Sequence, residues 1–200
     1  MLTTGFADKT SRDAGIGSPF SHTIFNAVAS DDNRVLTTQT LTVGTTREFV
    51  TADFAAQPDV PRAVSITTSA FTGTIRKVFV DVYGTDSFGN DQHELLVADA
   101  AEVINGAKAF RSVTFIKAWV IGTVAGTAAI IVGVHAGGLS TMTKIGETTD
   151  VWEVRVDGVI DAATIDAVNS TFTPVSAPDG AKEYHVHGQS TAGVVHFSGV

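Results

Sequence analysis

Across residues 75–83 the sequence alternates with period two. Val78, Val80 and Val82 fall on one side, and Lys77, Phe79, Asp81 and Tyr83 on the other. Such a pattern suits a strand with one face buried and defeats a helix, whose faces repeat every three to four residues. It returns at Val151-Trp152-Glu153-Val154-Arg155-Val156-Asp157-Gly158, where Trp152, Val154 and Val156 are expected inward and Glu153, Arg155 and Asp157 outward. Within 110–121, Val113, Phe115, Lys117, Trp119 and Ile121 stand opposite Ser112, Thr114, Ile116, Ala118 and Val120. Both sets become apolar toward the end, as in a central strand. Shorter extended runs at 63–68, 93–97, 184–187 and 194–197 are set apart by Gly84-Thr85-Asp86-Ser87-Phe88-Gly89-Asn90-Asp91, Asp157-Gly158 and Pro178-Asp179-Gly180, all turn chemistry. Residues 98–106 alone suggest a helical turn or a loop, with Asn105-Gly106 as a turn signal. No strand alternates with a long amphipathic helix, so the expectation is an all-β antiparallel sandwich or jelly-roll-like barrel.

Up to residue 44 the apolar groups are short and isolated: Phe20, Ile24-Phe25, Val35-Leu36. Residues 1–44 are therefore read as an extended N-terminal arm ordered against a neighbouring surface, although 36–43 has the makings of one strand. Residues 45–200 then form the β domain, with 137–146 as a candidate point of division. Phe20, Ile24 and Phe25 are the arm's expected anchors, unless they merely cover an edge of their own domain.

Residues 118–140 carry no formal charge and contain Gly122-Thr123-Val124-Ala125-Gly126, a G-x-x-x-G spacing. Five glycines and two β-branched clusters favour two buried strands joined by a glycine turn over a membrane helix. The N-terminus has neither the basic region nor the apolar run of a secretory leader. Thirteen basic against twenty-one acidic residues leave a net charge of −8, which disfavours nucleic acid as a partner. The absence of cysteine excludes disulfides and a thiol nucleophile.

The chemistry-bearing residues form no specific pattern. His185 and His187 share a strand face, and His196 could add a third nitrogen, but no fourth ligand is evident and a solvated or interface face is preferred to a metal site. Asp86, Asn90 and Asp91 do not follow an EF-hand order and read as a polar hairpin turn. Asp31-Asp32 reads as a solvated acidic pair rather than a glycosidase pair. No G-x-S-x-G elbow or phosphate-binding loop exists. No catalytic residue, cofactor or metal is therefore expected, and the chain is read as non-enzymatic. Trp119 and Trp152 could be sugar platforms, but their place in alternating strands favours core packing.

Four pieces in order carry a resemblance. Val82-Tyr83-Gly84-Thr85-Asp86-Ser87-Phe88-Gly89 is followed by Gly106-Ala107-Lys108-Ala109-Phe110, then by Val156-Asp157-Gly158-Val159-Ile160-Asp161-Ala162, then by Thr173-Pro174-Val175-Ser176-Ala177-Pro178-Asp179-Gly180 and on to Tyr184. They resemble stretches of small virion proteins of tailed bacteriophages, some of the capsid decoration or cement type. The resemblance implies a protein on the outer capsid surface of the virion that binds the major capsid protein at subunit junctions, as a homo-oligomer. A tail or head-fibre component is the alternative, followed by a small carbohydrate-binding or hydrolytic β module.

Overall fold

The computed structural model describes residues 18–123 and 125–192. Every strand pairing among them is antiparallel, and the strands fall into three sheets. The first sheet has the order β1 (Ser18–Phe25), β14 (Glu183–Ser190), β10 (Val151–Val156), β11 (Val159–Asp161). The second runs β12 (Thr164–Asp166), β13 (Thr171–Thr173), β9 (Thr127–Ser140), β4 (Arg62–Ser69), β7 (Val103–Phe110), with β2 (Asp31–Thr42) also paired to β9. The third is β3 (Thr46–Val50), β8 (Ser112–Gly122), β5 (Ile75–Thr85), β6 (Asp91–Ala98). The expected all-β architecture is what the chain adopts.

The second and third sheets face each other over the larger core. Val78, Val80 and Val82 on β5 and Ile116, Ala118 and Val120 on β8 meet Val64 and Ile66 on β4 and Ile130, Val132 and Val134 on β9. A smaller core joins Ile24 on β1, Val154 and Val156 on β10, Tyr184 and Val186 on β14, and Leu139 and Phe172 from the second sheet. The long strand β9 thus serves both cores, with residues 130–134 in one and Leu139 in the other. The handover from the larger core to the smaller falls between Val134 and Leu139, at the edge of the 137–146 stretch, although β9 runs unbroken across it and the smaller lobe also draws β1 from the other end of the sequence.

Residues 18–44 are not an extended arm. β1 pairs along its whole length with β14, and β2 lies across β9 with Val35, Leu36 and Leu41 fully buried. The reason the sequence hid β2 is its irregularity. The register with β9 shifts between Asp31 and Leu36 and again between Leu36 and Gln39, so adjacent Val35 and Leu36 both point inward and no alternation survives.

β7 occupies residues expected to be a helical turn or loop. Asn105-Gly106 sits inside it at a bulge, where the Glu94 carboxylate accepts from the Ala107 N–H at 2.8 Å and from the Lys108 N–H at 3.3 Å. A Cβ on Gly106 would lie 2.6 Å from that carboxylate. The uncharged run 118–140 becomes the end of β8 and the whole of β9, and no described helix is long and apolar enough to cross a membrane.

Buried Arg62, at the start of β4, ties the two cores together. Its Nε donates to the His135 carbonyl at 2.8 Å, and its Nη1 to the Val28 carbonyl at 2.8 Å and to Asp59 at 3.2 Å. Burial pulls the guanidinium below its ordinary pKa and Asp59 pushes back.

Candidate functional site

The sequence patterns that carried the resemblance fold into turns and their supports. In the β5–β6 hairpin the Asp86 carboxylate accepts from the N–H groups of Phe88 and Asn90, both at 2.8 Å, and from Asn90 Nδ2 at 3.0 Å. Its pKa sits below the ordinary value: burial raises it, and these donors outweigh burial. Asp86 is therefore a loop cap with its oxygens engaged. Asp157 and Gly158, with φ of 51° and 81°, close the two-residue β10–β11 hairpin. Asp161 accepts from the N–H groups of Val175 and Ser176, both at 2.8 Å. Tyr184 is buried and donates to the Ser176 carbonyl at 2.9 Å; burial first, and then nearby acids, push its pKa up to about 12.

His185 and His187 lie on the outward face of the first sheet. His185 and His187 stack with centroids 6.3 Å apart. The His185 Nδ1 is 3.1 Å from the Thr23 hydroxyl and its Nε2 is 3.0 Å from Glu183, so both ring nitrogens are occupied by polar neighbours. Opposite His187, Glu153 is held in a two-pronged contact by Arg155 at 2.8 and 3.1 Å. The Glu153 carboxyl is lowered by that contact first, and by His187 further away. His196 lies outside the described residues. Among the described residues no three His, Cys, Asp or Glu side chains are grouped to hold a metal. Asp31 opens β2 and accepts from the Asn33 N–H at 3.3 Å.

The three expected arm anchors separate. Ile24 is buried in the smaller core, and Phe20 packs on that core with its ring over Gly188, where a Cβ would come within 2.7 Å of the ring. Both cover their own domain, which removes them as free anchors. Phe25 alone projects, 58% exposed.

Among the described residues two surfaces group several exposed apolar side chains. One is at the β10–β11 hairpin. Val151 pairs with Gly188 and Glu153 with His187, leaving Trp152 as the extra residue of a bulge. This corrects the inward assignment of Trp152, whose indole is 63% exposed beside Val159 and Ile160 at 70% and 66%. Trp152 and Ile160 border a shallow groove with Ala162, Ala163 and Ile165. The bulge turns Val151 and Val154 to the same side, so a residue three positions away replaces the expected alternation.

The other surface is the outward face of the third sheet, whose side chains form three rows across the strands. Trp119 on β8 pairs with Thr46 on one side and Phe79 on the other, and Phe79 with Val97. One step along come Glu48, Lys117, Asp81 and Leu95, and then Val50, Phe115, Tyr83 and His93. None of the twelve is buried. Phe79 and Trp119 stack at 5.0 Å with an interplanar angle of 2°, and Tyr83 stacks on His93 at 5.3 Å. Trp119 is thus a half-exposed outer-face residue, not a core one. Its parity shifted because the β5–β8 register slips at Tyr83/Gly84, so Val113 and Ile116, three apart, both point inward. Aromatic residues at alternate positions of β5 and β8 were the available signal for this face. Comparison of the chain with protein-family models, curated proteins and solved structures finds no match to any of them.

Proposed function

We propose that the protein is a non-enzymatic cement or decoration protein of a tailed-bacteriophage virion, seated on the outer capsid surface against the major capsid protein. The observation that carries the adhesive part is the Trp152–Val159–Ile160 patch. A bulge and a two-residue hairpin present a large indole and two branched side chains outward on a braced edge. Buried aromatic anchors supply a disproportionate share of binding energy at protein contacts, and a rigid presentation reduces the ordering cost. The phage setting rests on the four ordered sequence pieces, and the acidic charge suits a partner other than packaged DNA.

Two measurements test this reading. Quantitative mass spectrometry and cryo-electron microscopy of purified virions should find hundreds of copies on the shell; a handful at one vertex supports a tail or fibre role instead, and absence overturns both. Binding to capsids stripped of the protein should weaken by about thirtyfold or more for Trp152→Ala, the loss of a contact worth about 2 kcal/mol. Unchanged binding would remove the patch from the mechanism.

The half-exposed Trp119 and exposed Trp152 also favour a second reading, a carbohydrate-binding module. They stand on different sheets and so would act as separate platforms. Retention on immobilised polysaccharide that is lost in Trp152→Ala or Trp119→Ala distinguishes it.

A further inference from the structure

The middle row on the third sheet's outward face holds an unsatisfied charge pattern. Lys117 lies between Glu48 on β3 and Asp81 on β5 as their direct cross-strand neighbour. Yet Lys117 makes no ion pair within 4.0 Å among the described residues. Asp81 is instead held by the Tyr83 hydroxyl at 2.6 Å and His93 Nδ1 at 3.2 Å, which fixes its carboxylate in place. On either side of this row lie the aromatic pairs Phe79–Trp119 and Tyr83–Phe115.

We propose that this face is the contact between two copies of the chain, packed sheet on sheet about a two-fold axis. A two-fold contact requires a surface complementary to itself. An axis running along the strands between β8 and β5 reverses the strand order β3-β8-β5-β6 and so lays the whole sheet over its copy. Each β8 then lies over the other copy's β5. Lys117 meets the partner's Asp81 twice by symmetry, and Trp119 meets the partner's Phe79. The central Lys117–Asp81 pair is self-complementary under this axis, with Glu48 at the rim over the partner's Leu95, whereas an axis along the row itself would bring Lys117 onto Lys117. The flanking rows supply apolar burial, and the charged row sets the register.

Four strands at about 4.8 Å and five residues at about 3.4 Å outline roughly 330 Å² per copy. This is less than the ~800 Å² per partner of a standard interface. The dimer is therefore concentration-dependent, and shell binding through the Trp152 patch leaves it free to form.

Sedimentation equilibrium of the purified full chain, in the absence of capsids, tests the proposal up to about 1 mM, the limit of a weak but specific contact. A reversible monomer–dimer equilibrium is expected. Lys117→Asp should raise the dissociation constant about tenfold or more, since like charges then face each other. Lys117→Asp with Asp81→Lys should restore association, because the exchanged charges again face opposite signs across the axis. Circular dichroism and thermal unfolding establish that both variants are folded; should Lys117→Asp unfold, Trp119→Ala in the same assay takes its place and should weaken the dimer. A chain monomeric at every concentration, a dimer indifferent to these substitutions, or a double variant without recovery overturns the assignment. None of these outcomes depends on the capsid-binding measurement.

Discussion

Arg62 shows how much one side chain can hold in place. It is buried, it reaches Val28 and His135, 34 and 73 residues away, and its carboxylate partner Asp59 also accepts the Val28 N–H at 2.7 Å. Arg62→Ala would leave that carboxylate and the carbonyls of Val28 and His135 facing a void. Breaking one side of a buried pair costs about 3–5 kcal/mol, so urea unfolding should show a midpoint lowered accordingly. Arg62→Met with Asp59→Asn removes both charges and is expected to lose less than Arg62→Ala alone. A smaller loss for the alanine variant would show that the guanidinium is not what joins the cores. Asp150 makes a second such point. Burial pushes its carboxyl up, but the N–H groups of Thr191, Gly146 and Glu147 and the Thr191 hydroxyl prevail and hold it below the ordinary 3.8. A depressed carboxyl stabilises the fold above its unfolded pKa, and that contribution disappears as pH falls through the lowered folded value. Thermal unfolding followed from pH 5 downward should therefore decline less steeply for Asp150→Asn than for the parent chain, from a starting stability about 1–3 kcal/mol lower. Parallel declines would mean Asp150 is not among the groups that set acid sensitivity.

Elements were legible in the sequence where the ladder is regular and concealed where it slips. β5 keeps a strict alternation, so the inward positions of Val78, Val80 and Val82 followed directly from the residue pattern. The β5–β6 hairpin and the Asp157-Gly158 reversal were equally readable, because their turn residues have a conformational reason to be there. β2, β7 and the start of β10 each carry a bulge, and a bulge moves every residue beyond it to the opposite face. That one device accounts for the unrecognised core role of Val35 and Leu36, for Asn105-Gly106 read as a turn, and for Trp152 read as inward. Gly84 shows what a sequence cannot disclose locally. A Cβ there would lie 1.9 Å from the Ser112 carbonyl oxygen, a close approach created by a strand 28 residues further on. Of the candidate surfaces, the aromatic rows on the third sheet were implicit in the alternation of β5 and β8. The Trp152 patch was not, since only the bulge brings it out.

At the scale of the whole molecule, the segment whose sequence suggests a separable arm is part of what keeps the domain folded. Val35, Leu36, Leu41 and Ile24 are buried in the two cores. At about 1.5–3 kcal/mol for each buried side chain, they contribute as much as the ~5–15 kcal/mol net stability of a typical domain. A chain starting near Thr45 should therefore lose cooperative thermal unfolding and the near-ultraviolet signal of its packed aromatics. A folded product would return residues 1–44 to the standing of an accessory arm. The pairing of β1 with β14 also imposes an order in time. Ser18 lies beside Ser190 and Phe25 beside Glu183, so the first described strand waits for its partner until about 160 further residues have been translated. At about 5–20 residues per second, that interval is roughly ten to thirty seconds. Throughout it, a segment bearing Phe20, Ile24 and Phe25 travels with its hydrogen-bonding edge open, a template onto which another nascent copy can zip. The sheet that finally seals the fold is thus also the place where synthesis exposes it to chaperones, and where crowded translation would first produce misassembled chains.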